Sequence, residues 1–177
     1  MRPLFLALVI GLTISCSPSR EKQVSEINTA FEDVNKSLAA NKADTAAMRR
    51  TETAVNNYLK KTPDDSLASK YLFDLGLVYQ KQRRYDKALA IFERCYREYP
   101  DSKQASTSVF LQGFLYANVL NNLDKAKEKY QLYLDKYSNV DAKMTGDVQL
   151  ELQNLGKSAD ELLKEIQQKD DSTQRQS

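Results

Sequence analysis

The stretch SKYLFDLGLVYQKQRRYDKALAIFERCYREYPDS, Ser69 to Ser102, decides the fold. Leu72, Leu75 and Tyr79 recur at helical three-and-four spacing, and beyond Lys81-Gln82-Arg83-Arg84 so do Ala88, Phe92 and Cys95. Each set is one apolar stripe on a short helix, and the polar residues between them make the turn. Pro100 has no N–H to donate and stops the second helix. Gly76 sits inside the first helix, where glycine costs about 1 kcal/mol against alanine. A glycine held there points to a second backbone passing close by. A lone helix pair cannot bury both stripes, so neighbouring pairs must stack on it.

The same register runs on along the chain. Gly113 and Tyr116 lie 37 residues after Gly76 and Tyr79, and Ala126, Tyr130 and Tyr133 lie 38 after Ala88, Phe92 and Cys95. The extra residue falls in the turn around Asn121-Asn122. Ala68, Ala105 and Ala142 keep the interval of 37, as do Asp65, Ser102 and Asn139, each a good N-cap for the first helix of a unit. Backwards, Thr51, Val55 and Tyr58 stand where the main unit has Ala88, Phe92 and Cys95, in a worn first repeat with helices from Ile27 to near Asn41 and from Thr45 to Lys61. Forwards, Met144, Val148, Leu152 and Leu155 mark one more helix. Ser158-Ala159-Asp160-Glu161 is a capping-box pattern opening a last helix with Leu162, Leu163 and Ile166.

Counted from Ser69, the signature residues are Leu72 at place 4, Leu75 and Gly76 at 7 and 8, Tyr79 at 11, Ala88 at 20, Phe92 at 24, Cys95 at 27 and Pro100 at 32. That arrangement resembles the tetratricopeptide repeat, a helix–turn–helix unit of about 34 residues. It departs from the family at place 4, where Trp is usual, and at place 27, where Cys95 replaces a small Ala. The resemblance implies an all-α, repeat-built solenoid of antiparallel helix pairs, about three repeats closed by a C-terminal capping helix. In this family the first helix of each unit lines a concave groove with places 2, 5, 9 and 12. Carried onto this chain, those places are Lys70, Phe73, Leu77 and Gln80, then Thr107, Phe110, Phe114 and Ala117, with Met144, Asp147 and Glu151 in a third unit. Large apolar residues on such a face make a candidate site for a protein or peptide. The competing reading is that the N-terminal helix or inter-repeat packing covers them.

Residues 1–15 fit a signal peptide: Arg2 gives a positive start and Leu4 to Ile14 is an uncharged run of 11 residues. A bilayer-spanning helix needs about 20. Thr13-Ile14-Ser15-Cys16 resembles the lipobox of bacterial lipoproteins, in which the cysteine takes the lipid, here Cys16. Cleavage at the small residues around Cys16, leaving a soluble exported chain, is the other reading. A polar tether follows over 16–23, the helical domain over 24–167, and a polar tail without apolar period, expected to be disordered, over 168–177.

Composition excludes much chemistry. Lys and Arg number 26 against 24 Asp and Glu, which argues against a nucleic-acid binder needing a basic face. There is no histidine, so the commonest general base and metal ligand are absent. No glycine-rich phosphate loop and no Cys-x-x-Cys occurs. No enzyme, metal or cofactor is expected. The basic turn Lys81, Arg83, Arg84, Lys87 reads as a solvated surface, with an anion or lipid-headgroup site as the alternative, and Cys95 as a small apolar contact residue, with a reactive thiol as the alternative. Arg97-Glu98-Tyr99-Pro100-Asp101-Ser102 is similar to the repeats of the outer-membrane barrel-assembly lipoproteins and of the periplasmic partner of the Tol system. The resemblance implies a non-catalytic scaffold, lipid-anchored at the outer membrane and facing the periplasm, with an envelope protein or peptide as partner. A structural subunit of a permanent envelope assembly is the alternative.

Overall fold

A computed structural model describes residues 19–42 and 44–174. The signal-peptide segment 1–15 and Cys16 lie outside the described residues. The elements are α1 (Arg20–Ala39), α2 (Thr45–Lys61), α3 (Ala68–Lys81), α4 (Tyr85–Glu98), α5 (Lys103–Asn118), α6 (Leu123–Tyr137), α7 (Ala142–Asn154) and α8 (Ala159–Gln174), with no strand among the described residues. They follow as successive pairs: α1 lies on α2, α3 on α4 and α5 on α6, and each pair packs on the next through α2–α3, α4–α5 and α6–α7. This is an all-α repeat solenoid.

Within each of the first three pairs one residue takes a left-handed backbone to reverse the chain: Asn41 (φ 50°), Arg83 (φ 57°) and Asn121 (φ 49°); Gly156 (φ 81°) serves between α7 and α8. Asparagine and glycine tolerate that conformation readily, whereas Arg83 holds it without such help.

The apolar stripes meet in two adjoining cores. One joins α1 to α4 around Val34, Val55, Leu72, Tyr79 and Phe92, with Leu115 reaching in from α5; the other joins α5, α6 and α7 around Val109, Tyr130, Tyr133 and Val148. Leu72, Leu75, Ala88, Phe92, Cys95, Ala126, Tyr130 and Tyr133 are fully buried. Tyr116 is only half-buried where Tyr79 is sealed, and Pro100 is exposed in its turn. Thr51 replaces the small alanine of the other units without leaving a buried polar orphan, because its hydroxyl lies 3.0 Å from the Ala30 and Ala47 carbonyls.

Gly76 and Gly113 owe their places to rings, not to a backbone as their sequence positions suggest. A Cβ on Gly76 would stand 2.5 Å from Cε1 of Phe92, and one on Gly113 would stand 2.5 Å from Cε1 of Tyr130. The aromatic at place 24 lies flat against the glycine at place 8, and no side chain fits between them.

Four boundaries differ from their sequence expectations. The tether is shorter than 16–23, because Ser19 caps α1 at the Lys22 N–H and Arg20–Gln23 are already helical. The tail expected over 168–177 is helical as far as Gln174, since the Ser158–Glu161 capping box starts α8 and no Pro or Gly interrupts it. Ser102 caps α5 as expected, but Asp141 rather than Asn139 caps α7, accepting from the Met144 N–H at 3.0 Å. Asp65 bonds the Leu67 N–H just ahead of α3 instead of capping the helix itself.

Gly113→Leu is therefore expected to destabilise the fold by about 1–3 kcal/mol, as overpacked cores do. Gly146, in α7, is the control, because a Cβ added there would meet nothing within 4 Å. Gly146→Ala is expected to stabilise by about 0.4–1 kcal/mol. Urea unfolding of both variants checks the pair, and equal midpoints for the two would refute the ring contact.

Candidate protein-binding faces

The stack has an inner and an outer side because its helices are not equally close. First helices touch one another, α1 with α3 and α3 with α5, while the second helices stand apart. Long side chains bridge that wider side: Arg94 donates to Asn56 at 2.7 Å, Lys129 pairs with Glu93 at 2.9 Å, and Lys136 donates to the Tyr96 hydroxyl at 2.7 Å. The closely spaced first helices thus line the inner side.

On that side the residues expected at the groove are brought into two equivalent sets. Phe73 lies 5.7 Å from the Phe92 ring, and Phe110 lies 6.3 Å from Tyr130 and 6.4 Å from Phe114. The aromatic that covers each glycine also supports the groove residue beside it. Phe73, Leu77, Gln80, Phe110 and Phe114 are all half-buried, so the face is less open than four large apolar residues on a groove suggest. Phe73 and Leu77 rest on the first core and Phe110 on the second, whereas Phe114 is supported by Phe110. The N-terminal helix meets α3 through Phe31, stacked on Tyr71 at 6.4 Å. The Gln80 Oε1 is buried and has no hydrogen-bond partner.

Cys95 is fully buried with its Sγ 3.8 Å from the Ser69 carbonyl. Burial pushes its thiol up to about 11, which keeps it protonated and unreactive.

Two features escaped the sequence reading. Gln112 occupies the place of Leu75 in the next unit, is 2 % exposed, and its Nε2 has no partner. Only the period of 37 could have flagged it, as a polar residue at an apolar place. The other is a cleft of about 700 Å³ between the α1–α2 and α3–α4 turns, where Lys42, Lys81 and Arg84 surround Leu38 and Met48. Its halves lie 39 residues apart in sequence, from Lys42 to Lys81, so no local motif marks it.

At the opposite edge Arg20 grips Asp65 with two nitrogens, at 2.5 and 3.1 Å, and so ties the start of α1 to the α2–α3 turn. The guanidinium first, and the Leu67 N–H second, hold the Asp65 carboxyl well below the usual carboxylate range. No described helix is long and apolar enough to cross a membrane, and no described group of three or more Cys, Asp or Glu could hold a metal ion.

Comparison with known families gives the class. Two family models described as tetratricopeptide repeat match the chain, one over residues 69–102 and the other over 107–139. The first spans α3–α4 and the second α5–α6, the two pairs that carry the glycine–ring contact. No curated protein matches the chain. The fold is accordingly an all-α solenoid of tetratricopeptide-repeat type, an architecture suited to binding protein or peptide.

Because the folded pKa of Asp65 is depressed, its pairing stabilises the fold above the ordinary aspartate value of about 4 and is lost as pH falls below it. Asp65→Asn is expected to be less stable than the parent at about pH 6, with the gap narrowing at about pH 3. Urea midpoints at both pH values check this, and a gap that widens on acidification would refute the pairing.

Proposed function

We propose that this chain is a lipid-anchored, non-catalytic scaffold that holds a protein or peptide of the bacterial envelope against its inner face. The observation that carries the reading is the paired set Phe73 with Leu77 and Phe110 with Phe114, presented at equivalent places of two consecutive first helices. Half-buried aromatics fixed by a packed ring behind them are preorganised, which is what binding hot spots require. A partner that lays an apolar side chain over Phe73 and a second over Phe114 would bury both without any rearrangement of the stack.

The anchoring part rests on the sequence: the apolar run Leu4 to Ile14, and Cys16 after small residues. With α1 beginning at Arg20, little chain separates Cys16 from the first helix. The body would then ride close to an outer-membrane surface on its periplasmic side.

A second reading, a subunit locked into a permanent assembly, is favoured by one observation. Val119, Leu120, Leu123, Leu150 and Leu163 are 39–57 % exposed toward the C-terminal end of the stack. That reading expects isolated protein to self-associate, which light scattering measures directly.

Two expected outcomes test the main reading. Phe114→Ala should weaken capture of the envelope partner by about 2 kcal/mol while leaving the thermal midpoint nearly unchanged, because Phe114 is not part of either core. Phe110→Ala should lower both, since it also packs on Tyr130. Pull-down yield and melting of the same two proteins are the measurements, and partner capture undiminished by Phe114→Ala would reject the inner face. For the anchor, Cys16→Ser should release the protein from membranes and abolish the mass of an attached diacylglyceryl group. Membrane fractionation and intact-mass spectrometry decide it, and an unchanged mass with retained membrane association would rule out lipidation at Cys16.

A further inference from the structure

The chain is nearly balanced in charge, 26 cations to 24 anions, yet three cations gather around one recess. Lys42, Lys81 and Arg84 surround the cleft between the α1–α2 and α3–α4 turns, and Arg83 and Lys87 are close to them in sequence. None of these five has a carboxylate within 4.0 Å among the described residues, although cations elsewhere on the same helices do: Arg50 with Asp33, Lys70 with Asp74, Arg94 with Glu98. The acid in the lining, Asp44, is engaged at the start of α2, where it accepts from the Ala47 N–H at 2.8 Å. Arg84 and Lys87 instead lie over the face of Tyr79, 5.0 and 5.3 Å from its centroid.

Beyond the two contacts with Tyr79, local stability does not account for this arrangement. Arg84 and Lys87 stand at the start of α4, where the helix dipole disfavours cations. The three cations around the recess, none with a carboxylate partner, also repel one another. An anion in the cleft would relieve both effects. The floor adds a second requirement: Leu38 is half-buried and gives the recess an apolar surface beneath its charged rim, with the nearly sealed Met48 also in its lining. A flat lipid surface reaches the rim and not the floor. The cleft also lies at the C-terminal end of α1, about 30 Å along a 20-residue helix from Ser19 and the N-terminal segment.

We propose that this cleft is a docking site for an acidic peptide segment that carries an apolar side chain between its carboxylates. The carboxylates meet Lys42, Lys81 and Arg84, and the apolar side chain rests on Leu38. The site is separate from the inner face, so a partner bound there leaves this edge free.

The test uses the purified full-length chain and three fluorescein-labelled peptides, Glu-Glu-Leu-Glu-Glu, Glu-Glu-Ser-Glu-Glu and Lys-Lys-Leu-Lys-Lys, read by anisotropy over a salt series. The leucine acidic peptide is expected to bind saturably, more weakly as salt rises, with the serine peptide about tenfold weaker or more for want of the buried side chain. The lysine peptide should not bind. Lys81→Glu with Arg84→Glu should weaken the leucine peptide at least about tenfold with an unchanged melting temperature, while Phe114→Ala binds as the parent does. Should that double variant melt early, Lys42→Glu on the facing turn supplies the same reading. Absence of saturable binding at low salt, equal binding of the lysine peptide, or loss of binding in Phe114→Ala overturns the proposal. Phosphatidylglycerol vesicles that displace the peptide from the parent would make the occupant a membrane. Self-association abolished by the charge-reversed variant would make it the acidic edge of a second copy.

Discussion

The contact between a helix glycine and the ring facing it, Gly76 with Phe92 and Gly113 with Tyr130, sets the geometry on which the rest depends. It fixes how near two helices of a pair come and how each is rotated about its axis. Once place 8 faces the ring, place 4 and place 11 are turned into the core on one side, as the burial of Leu72 and Tyr79 shows. Places 5 and 9 are turned outward on the other, which puts Phe73 and Leu77, then Phe110 and Phe114, half in view. The groove residues are thus not an independent feature added to a scaffold. Their direction follows from the packing contact, and the same ring supports Phe73 and Phe110.

The second constraint is between pairs. First helices can approach closely because they present small residues to their neighbours, including Ala68, Ser69, Ala105, Ser106 and Ser108, all buried. Ser69 bonds Gln104 across that seam at 3.3 Å. The second helices carry Tyr96, Arg94, Lys129 and Lys136 toward one another, and these long chains hold them apart while bonding across the gap. Tyr137 closes the later seam by donating to the Pro100 carbonyl at 2.8 Å. Close first helices on one side and long bridging side chains on the other give the stack two unlike faces. The exposed bridges among these, Arg94–Asn56 and Lys136–Tyr96, add little stability individually and serve mainly to fix spacing.

Much of this was legible in the chain. The interval of 37 and the spacing inside Ser69–Ser102 locate the central helices, their turns and the buried set, because burying one stripe per helix leaves few other solutions. The reason for Gly76 was not legible, since a sequence shows a small residue but not whether backbone or ring lies over it. Helix ends were read less well. Asn139 and Asp141 are both good caps, and the choice falls to the one whose side chain reaches the Met144 N–H. The run of α8 past Lys169 rests on propensity without an apolar stripe, a signal too weak to separate it from a disordered tail. How far the groove residues are sunk depends on the tilt of the facing rings, which no spacing encodes.

Antiparallel pairing turns an alternation along the chain into a separation in space. Every turn within a pair falls on one edge of the stack and every turn between pairs on the other. In this chain the early within-pair turns carry Lys42 and then Lys81, Arg83 and Arg84, while the between-pair turns carry Pro63-Asp64-Asp65 and Pro100-Asp101. Cations therefore gather at one edge, while Asp64 and Asp101 stand about one helix length away at the other, where Arg20 already pairs with Asp65. At that distance, beyond a Debye length of about 8 Å, the two edges do not neutralise each other in solution. A solvated partner meets each as a separately charged surface. Net charge is for this reason a poor guide to what a helical stack can bind, and the sign of its alternate turns is a better one.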